Sequence, residues 1–177
     1  MSADDPIAAT PTGRYRGRRV DGVAVWRGIR YATAPRFGAP VPVPRSDTEV
    51  DAVDPGPLAW QPVGEGPERR GEDCLRLHVW APVGAEAAPV LVWIHGGGFI
   101  GGDPAADDVD GADLARATGL VVVTVGYRVG PFGFLDLRDR VPGAVANAGL
   151  RDLVAALRWL AAGVAAFGGD PARVTIA

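Results

Sequence analysis

The sequence predicts an α/β protein with a partly parallel central sheet, and three adjacent segments carry that prediction. Residues 90–94 and 120–125 are almost unbroken apolar runs of strand length, as expected for parallel strands that are covered on both faces. Between them, residues 111–117 are predicted to form a short helix that ends near Gly119. Strand, helix and strand in this order make a β-α-β unit.

The segments before this unit carry weaker signals. Residues 1–16 are expected to form a poorly ordered tail, because the start of the chain is acidic, polar and proline-bearing. Residues 17–70 are rich in Pro, Gly and Arg, so short strands such as residues 20–26 are predicted to alternate with turns. Residues 75–80 alternate apolar and polar side chains, which is typical of a strand buried on one face.

Local signals also place the helices. Asp110 and Asp113 suit the N-cap and N3 positions of the short helix. Over residues 150–164 the apolar side chains recur with a helical period, and two glycines at 168–169 are expected to end that second helix. Residues 174–177 then begin another apolar strand.

Charge and hydropathy argue against a nucleic-acid or membrane partner. The net charge is −3, and all 18 basic residues are arginines that are spread along the chain rather than gathered in one stripe. No apolar run approaches the roughly 20 residues that span a bilayer, and the start of the chain has no apolar signal-peptide core. We therefore expect a soluble, cytoplasmic protein.

The sequence predicts no metal site, cofactor or internal disulfide. Cys74 is the only cysteine, and His78 and His95 are too far apart for metal-ligand spacing. When the acidic stretch at 103–113 is aligned with an EF-hand calcium loop, with Gly111 at the invariant glycine position, alanine stands at both terminal ligand positions. We interpret this stretch as a solvated loop followed by a helix cap.

The first strand of the β-α-β unit leads directly into His95 and three glycines, and three interpretations of this run are open. The first is a sharply turned loop in which glycine permits positive φ. The second is a dinucleotide-binding loop, since Gly96, Gly98 and Gly101 match the pattern G-x-G-x-x-G. The third is an oxyanion hole, in which glycine N–H groups donate to the oxygen of a tetrahedral intermediate in acyl transfer.

The surrounding residues favour the third interpretation over the second. A dinucleotide fingerprint opens a helix whose N-terminus meets the pyrophosphate, whereas Gly102-Asp103-Pro104 breaks the chain here. The following strand also lacks a terminal acidic residue that could hold a ribose. Four carboxylates after the glycines would repel phosphate, namely those of Asp103, Asp107, Asp108 and Asp110.

Eight short motifs occur in order along the chain. They are Glu72-Asp-Cys-Leu75, Val79-Trp-Ala-Pro82, His95-Gly-Gly-Gly-Phe99, Asp110-Gly111, Tyr127-Arg-Val-Gly130, Phe132-Gly-Phe-Leu135, Asn147-x-Gly-Leu150 and Phe167-Gly-Gly-Asp-Pro171. Together they resemble the type-B carboxylesterase family of α/β-hydrolases, as does the earlier segment Gly28-Ile-Arg-Tyr-Ala32. The resemblance covers the chain from about Gly17 onward and only the first third of a typical family member. Esterases of the hormone-sensitive-lipase type share His-Gly-Gly-Gly but lack the first and last of these motifs.

The resemblance implies both a fold and a site. The fold is a partial α/β-hydrolase, in which these residues supply the N-terminal strands of the central mixed sheet and the flanking helices. Gly97 and Gly98 match the glycines whose amides form the oxyanion hole, and they are the predicted catalytic residues. His95 matches a position beside them where a structural role is expected. The implied substrate is a small-molecule carboxylic ester, and no cofactor is implied.

The resemblance also implies two ion pairs that brace the family's fold. Arg36 matches a residue that pairs with Glu72, and Arg128 matches one that pairs with Asp152. An ion pair that loses one member leaves the other with a desolvation penalty, so such residues matter for stability without taking part in chemistry. These four residues are therefore interpreted as structural and are not included among the catalytic residues.

Two positions depart from the family's pattern. His78 stands where the family usually has asparagine, on the polar phase of a strand, so we expect a surface or edge side chain. The family's early disulfide would join Cys74 to a cysteine near residues 57–61, but Ala59 or Trp60 stands there. Cys74 is therefore expected to be a free, buried thiol.

The implied chemistry needs residues that this sequence does not contain. In the family, the strand at 174–177 continues into Gly-Glu-Ser-Ala-Gly, the nucleophile elbow, whose serine is expected about four residues beyond Ala177. Ser2 and Ser46 are the only serines here, and neither lies in such a turn. Residues 17–177 are therefore interpreted as the N-terminal portion of a hydrolase domain, truncated before the elbow and inactive by itself.

Three functional hypotheses follow from this interpretation. The chain is the front of an ordinary esterase, a non-catalytic esterase-like binding module, or one half of a split enzyme that a downstream fragment completes. The first predicts a coding sequence that continues into the elbow, the second a chain that folds alone, and the third activity on co-expression. An apolar sheet edge without a partner is prone to aggregation, which favours the first.

Overall fold

A six-stranded mixed sheet forms the centre of the computed structural model, which describes residues 5–62, 67–106 and 110–177. In chain order the strands are β1 (Ile7–Thr10), β2 (Gly13–Arg16), β3 (Arg18–Val20), β4 (Val23–Arg30), β5 (Ala32–Thr33), β6 (Val41–Pro42), β7 (Glu49–Asp51), β8 (Arg76–Pro82), β9 (Ala88–Ile94), β10 (Val121–Val125) and β11 (Gly169–Ile176). The helices are α1 (Ala112–Thr118), α2 (Gly130–Phe134) and α3 (Ala148–Gly163). Short 3₁₀ turns span Pro67–Arg69 and Val164–Phe167.

The central sheet has the strand order β11, β9, β10, β8, β4, β3. Strand β9 is parallel to both of its neighbours, whereas β8 runs antiparallel to β10 and β4, and β3 runs antiparallel to β4. Parallel strands need crossover connections, and α1 joins β9 to β10 while α2 and α3 lie between β10 and β11. The predicted α/β class with a mixed sheet is confirmed.

The predicted β-α-β unit is present, and its strands are covered on both faces. In β10, Val121 and Val123 lie in one apolar cluster with Leu160 of α3. Val122 points to the other face, where it clusters with Ala115 of α1. Successive side chains of a strand alternate between faces, so a strand covered on both sides must be apolar at every position.

Helix α1 begins one residue later than predicted. Gly111, and not Asp110, is the N-cap residue, but Asp110 Oδ1 still accepts a hydrogen bond from the Ala112 amide at 2.9 Å. Gly119 has the left-handed conformation (φ 76°) and donates to the Ala115 carbonyl, which ends the helix as predicted.

Helix α3 packs on the opposite face of the sheet from α1. It starts two residues before the predicted Leu150, and its residues Ala156 and Leu160 are buried against the strands. The following 3₁₀ turn ends at Gly168, whose φ is 83°. Within the described residues, no helix has both the length and the apolar composition needed to cross a membrane.

The N-terminal segment differs from the predicted tail. Residues 1–4 lie outside the described residues, but β1 and β2 form an antiparallel hairpin, and β7 pairs with β2 in parallel. Ala8 and Thr10 are buried, and Thr10 Oγ1 donates to the Gly13 carbonyl at 3.0 Å. The prediction of a poorly ordered tail is wrong for residues 7–16. The buried positions of β1 are Ala8, which is small, and Thr10, which is polar, so the sequence lacks the apolar alternation that predicts a strand.

The predicted strand at 20–26 is interrupted by a tight turn. Val20 pairs with Val23, so only Asp21 and Gly22 connect β3 to β4. Their φ values, 47° and 80°, are both positive, as a type I′ hairpin requires. The result is two antiparallel strands at the edge of the central sheet.

His78 is buried, which corrects the predicted surface or edge position. It belongs to β8, which lies between β10 and β4, and its exposed fraction is 1%. The pairing of β4 with β8 is irregular between Trp26 and Ile29, and there the Gly28 amide donates to His78 Nδ1 at 3.0 Å. At the bulge the Gly28 amide needs an acceptor outside the regular strand pairing. The alternation of apolar and polar residues along β8 does not predict this role for His78.

Both predicted ion pairs are present, but only one is buried. Arg128 Nε and Nη2 donate to the two carboxylate oxygens of Asp152 at 2.8 and 2.7 Å, and the Arg128 amide adds a third bond at 3.1 Å. This pair ties the segment after β10 to α3. The pair of Arg36 with Glu72 is exposed, so solvent screens it.

We expect stability at acidic pH to depend on His78. Burial lowers the pKa of His78 to about 3 from its ordinary value of 6.5, and the nearby charges of Arg27 and Arg76 act in the same direction. As the pH falls through this window, the unfolded chain gains a proton that the folded chain does not bind. The free energy of unfolding should therefore fall by up to about 1.4 kcal/mol per pH unit. Chemical unfolding at a series of pH values measures this slope.

The control is the His78→Asn variant. Asparagine Oδ1 sits at nearly the same distance along the side chain as histidine Nδ1, so it can accept the Gly28 hydrogen bond, and it does not titrate. We expect this variant to show a flatter acid-side slope than the parent. Identical slopes in the two proteins would show that His78 does not contribute.

We expect Cys74 to react with a thiol reagent only after unfolding. As predicted, it is a free, buried cysteine; it is 4% exposed, and burial raises its pKa to about 12. Folded protein therefore offers neither the thiolate nor access to it. Because the chain has one cysteine, an aromatic disulfide reagent gives an unambiguous signal in native buffer and in denaturant. Rapid stoichiometric labelling of the folded protein would contradict the prediction.

Candidate active site

The glycine run lies at the carboxyl end of β9, which is the edge of a parallel sheet where ligands commonly bind. The end of β11 lies beside it, since the Ile94 amide donates to the Ala177 carbonyl at 2.8 Å and the Ala177 amide donates to Val92 at 3.0 Å. Any residue attached after Ala177 would therefore start next to this loop.

The glycines form a tight turn. The Ile100 amide donates to the Gly97 carbonyl at 3.0 Å, and the two central residues, Gly98 and Phe99, have φ values of 60° and 62°. Positive φ at both central positions is the signature of a type I′ turn. Phe99 is strained in this conformation, and the Gly130 amide holds its carbonyl at 2.6 Å.

The two predicted site residues, Gly97 and Gly98, are brought together with their amides free. Neither amide donates a hydrogen bond to another residue of the described ranges 5–62, 67–106 and 110–177, and both residues are exposed. Gly97 has φ 115°, and a Cβ built on it would lie 2.0 Å from the Gly101 carbonyl oxygen. Gly98 has open space around it, so glycine is favoured there only by its positive φ.

His95 lies beneath the glycines and is 6% exposed. Its Nδ1 donates to the Gly96 carbonyl at 3.0 Å, and its ring stacks on Tyr127 with centroids 4.4 Å apart. The Tyr127 hydroxyl donates to the His95 carbonyl at 3.1 Å. Burial lowers the pKa of His95, which favours the neutral imidazole. These contacts place His95 as a support of the loop.

Gln61 is a contact of the loop that the sequence does not reveal. Its side-chain amide is hydrogen-bonded to both backbone groups of Gly102, at 2.6 and 3.0 Å. A single glutamine in a proline-rich segment has no periodicity or motif that marks it as part of a site. Only the fold brings it to a loop that is distant in sequence.

Two of the acidic residues after the glycines already have partners within the chain. Asp103 accepts from the Ala105 amide at 2.7 Å, and Asp110 pairs with Arg27 at 2.6 Å. Asp107 and Asp108 lie outside the described residues. After the glycines, the first helix in the described part of the chain is α1, which starts at Ala112. The glycines therefore do not open a helix, contrary to what a dinucleotide fingerprint requires.

A large groove lies elsewhere, along α3. It has a volume of about 720 Å³ and is lined mainly by apolar side chains, including Tyr31, Leu150, Val154 and Trp159. Its polar side chains are those of Asn147, Arg151 and Arg158. No Ser, Cys, His, Asp or Glu lines this groove, and the Tyr31 hydroxyl donates to the Gly126 carbonyl at 2.7 Å, so the glycine loop is the better candidate for chemistry.

Comparison with known proteins identifies the family of the chain. Residues 4–177 match the carboxylesterase family. Para-nitrobenzyl esterase of Bacillus subtilis is 41% identical over 182 residues, covering 96% of this chain and 37% of that protein. A probable N-octanoylanthranilate hydrolase of Rhodococcus erythropolis is 40% identical, covering 94% of this chain and 38% of that protein.

Solved structures give the same result. A structure titled PNB esterase matches with a TM-score of 0.91 at 41% identity, covering 97% of this chain and 37% of the other. A carboxylesterase of Geobacillus stearothermophilus matches with a TM-score of 0.89 at 43% identity, covering 96% and 36%.

The chain belongs to the carboxylesterase family, and its fold is the predicted N-terminal part of an α/β-hydrolase. The chain spans 37% and 38% of the length of the two curated relatives named above. The fold described above is therefore shared with these solved structures over 96–97% of this chain, while the larger part of each relative has no counterpart in these residues.

Substituting the three glycines in turn should separate the roles of φ and close contact. Gly96→Ala should change the free energy of unfolding by less than about 0.5 kcal/mol, because nothing lies within 4 Å of its added Cβ. Gly98→Ala should cost about 1 kcal/mol because of its positive φ. Gly97→Ala should cost clearly more, because its Cβ meets a backbone oxygen. Chemical unfolding of the three variants ranks them, and equal costs would contradict this geometry.

Proposed function

We propose that this chain supplies the oxyanion hole of a serine carboxylic ester hydrolase, with Gly97 and Gly98 as the donors. The observation that carries the proposal is the pair of unpaired, exposed glycine amides at the carboxyl end of β9. The substrate is a small-molecule carboxylic ester. Membership of the carboxylesterase family supports this chemistry.

The glycine amides act on the charge that develops during acyl transfer. A serine Oγ attacks the ester carbonyl carbon, and the carbonyl π electrons move onto its oxygen to give a tetrahedral oxyanion. The Gly97 and Gly98 N–H groups donate to that oxygen. The intermediate then expels the alcohol, which takes the proton that a histidine removed from serine, and water later releases the acid. One such donor is typically worth about 2.7–4 kcal/mol of transition-state stabilisation.

The serine, the histidine and the acid are assigned to polypeptide beyond these residues. Ser46 is exposed on the loop after β6, where its Oγ accepts from the Thr48 amide at 3.2 Å. His78 and His95 are both buried and held by local hydrogen bonds. In the described residues, none of these side chains forms a nucleophile and base pair.

A second candidate, one half of a split enzyme, is favoured by the edge of the sheet. Among the described strands, β11 pairs only with β9, and its Val174 and Ile176 are 37% and 52% exposed. The Ala177 amide and carbonyl both bond to β9, so by alternation the backbone groups of Ile176 point to the open edge. A further strand could pair there, whether it belongs to the same chain or to a separate fragment.

Joining this chain at Ala177 to the remaining part of the Bacillus subtilis para-nitrobenzyl esterase gives a testable protein, called here the completed enzyme. We expect the completed enzyme to hydrolyse a short-chain para-nitrophenyl ester and the 177-residue chain alone not to do so. In the completed enzyme, Gly97→Ala should lower kcat by at least about 100-fold, because it moves a donor of the oxyanion. Release of para-nitrophenol measures both rates.

The controls separate the candidate functions. Ser46→Ala in the completed enzyme should leave kcat unchanged. Activity that appears when the two parts are co-expressed as separate chains favours the split enzyme. Turnover by the isolated chain that survives Ser2→Ala and Ser46→Ala would contradict the serine mechanism. A monodisperse, folded chain that gives an inactive completed enzyme would favour a non-catalytic binding module.

A further inference from the structure

Gln61 reaches the glycine loop from a distant part of the chain. The Gly102 amide donates to Gln61 Oε1 at 2.6 Å, and Gln61 Nε2 donates to the Gly102 carbonyl at 3.0 Å. The side-chain amide therefore pairs with both backbone groups of one residue, as a neighbouring strand would. This orientation of the amide is the one that places a donor opposite an acceptor on both sides. Gln61 is 7% exposed, so little water competes for these bonds.

The segment that carries Gln61 is itself fixed to the chain before β8. The Leu58 amide donates to the Arg69 carbonyl at 2.7 Å, and the Gly71 amide donates to the Leu58 carbonyl at 2.8 Å. These two bonds form an isolated parallel bridge three residues before Gln61. The glutamine thus acts from a fixed position and not from the tip of a free loop.

Gly102 is held against the base of the glycine loop. Its φ is 154°, and a Cβ built on it would lie 1.9 Å from His95 Nδ1. His95 begins the loop and Gly102 ends it, so the two ends meet at this contact. Between them, a Cβ built on Gly97 would lie 2.0 Å from the Gly101 carbonyl oxygen, so only glycine fits there. The position of Gly102 therefore limits where the Gly97 and Gly98 amides can point.

We propose that Gln61 is a positioning residue, which holds Gly102 on His95 and so sets the direction of the Gly97 and Gly98 amides. Without Gln61, the two polar groups of Gly102 would be left without partners in a half-buried place, and the loop would shift to satisfy them. The effect on catalysis rests on the proposed function, whereas the effect on the loop does not.

The first test uses the 177-residue chain and needs no activity. In Gln61→Leu, which keeps similar volume but has no polar group, we expect the amide resonances of Gly97 and Gly98 to shift and Gly102 amide exchange to quicken at least about tenfold. The matched control is Thr10→Val, which removes the buried bond to the Gly13 carbonyl and two part-buried bonds to Thr12 in the β1–β2 hairpin, and which should leave these signals unchanged. Unchanged signals in Gln61→Leu would overturn the proposal.

The Gln61→Glu variant covers the case in which Gln61→Leu does not fold. Its ionised carboxylate can still accept from the Gly102 amide but cannot donate to the carbonyl, and protonation restores one donor. We expect the Gly97 and Gly98 resonances of this variant to move toward those of the parent as the pH is lowered through the carboxyl range. Resonances that match the parent at every pH would overturn the proposal.

The second test measures catalysis in the completed enzyme. Gln61→Leu should lower kcat about 10- to 100-fold while KM changes less than about twofold, because the misplaced donors act mainly on the transition state. Thr10→Val should leave both constants unchanged. If the completed enzyme is active and Gln61→Leu keeps the parent kcat, the positioning role fails while the proposed function stands. If the completed enzyme is inactive, the proposed function fails and the resonances of the isolated chain still decide the role of Gln61.

Discussion

The geometry of the candidate site depends on two close contacts at glycines, where there is no room for a side chain. Gly97 lies against the Gly101 carbonyl, and Gly102 lies against the ring of His95. Each contact closes the loop over a few residues, so sterics limit the directions that its amides can take, and the Gln61 hydrogen bonds hold Gly102 within those limits. The sheet supplies the fixed starting point, because β9 is paired on both sides by parallel strands.

The segment after β10 supports the same loop from its other side. Tyr127 stacks on His95, and the Gly130 amide holds the Phe99 carbonyl in its strained conformation. Arg128, which lies between Tyr127 and Gly130 in the sequence, forms three hydrogen bonds to Asp152 of α3. Breaking a buried pair of this kind typically costs about 3–5 kcal/mol. The packing of α3 on the sheet therefore helps to fix the glycine loop, although α3 is not part of it. For this reason the Arg128–Asp152 pair matters to the site without taking part in catalysis.

The features that could be predicted from the sequence are those with a local cause or a family motif. The apolar runs of β9 and β10, the stop at Gly119 and the free thiol of Cys74 belong to this group. The features that were missed depend on contacts between distant segments. His78 lies in a strand between β10 and β4, where the bulge of β4 supplies the Gly28 amide as its partner. Gln61 is part of the site because its loop folds back toward Gly102. Neither contact can be inferred from the residues that flank His78 or Gln61 in the sequence.

The unpaired amides of Gly97 and Gly98 carry little free-energy cost only while water can form hydrogen bonds with them. An N–H group that loses water without gaining a partner costs about 1–3 kcal/mol. In the proposed enzyme the remaining part of the domain and the substrate exclude that water. The two donors then have no acceptor among the residues that the structure describes, since close contacts fix the loop on both sides. These unpaired N–H groups stabilise an oxyanion more than a neutral carbonyl, because a charged acceptor forms the stronger hydrogen bond. A rigid glycine loop is therefore better suited to the transition state than a flexible one, whose amides could pair with nearby carbonyls before the substrate arrived.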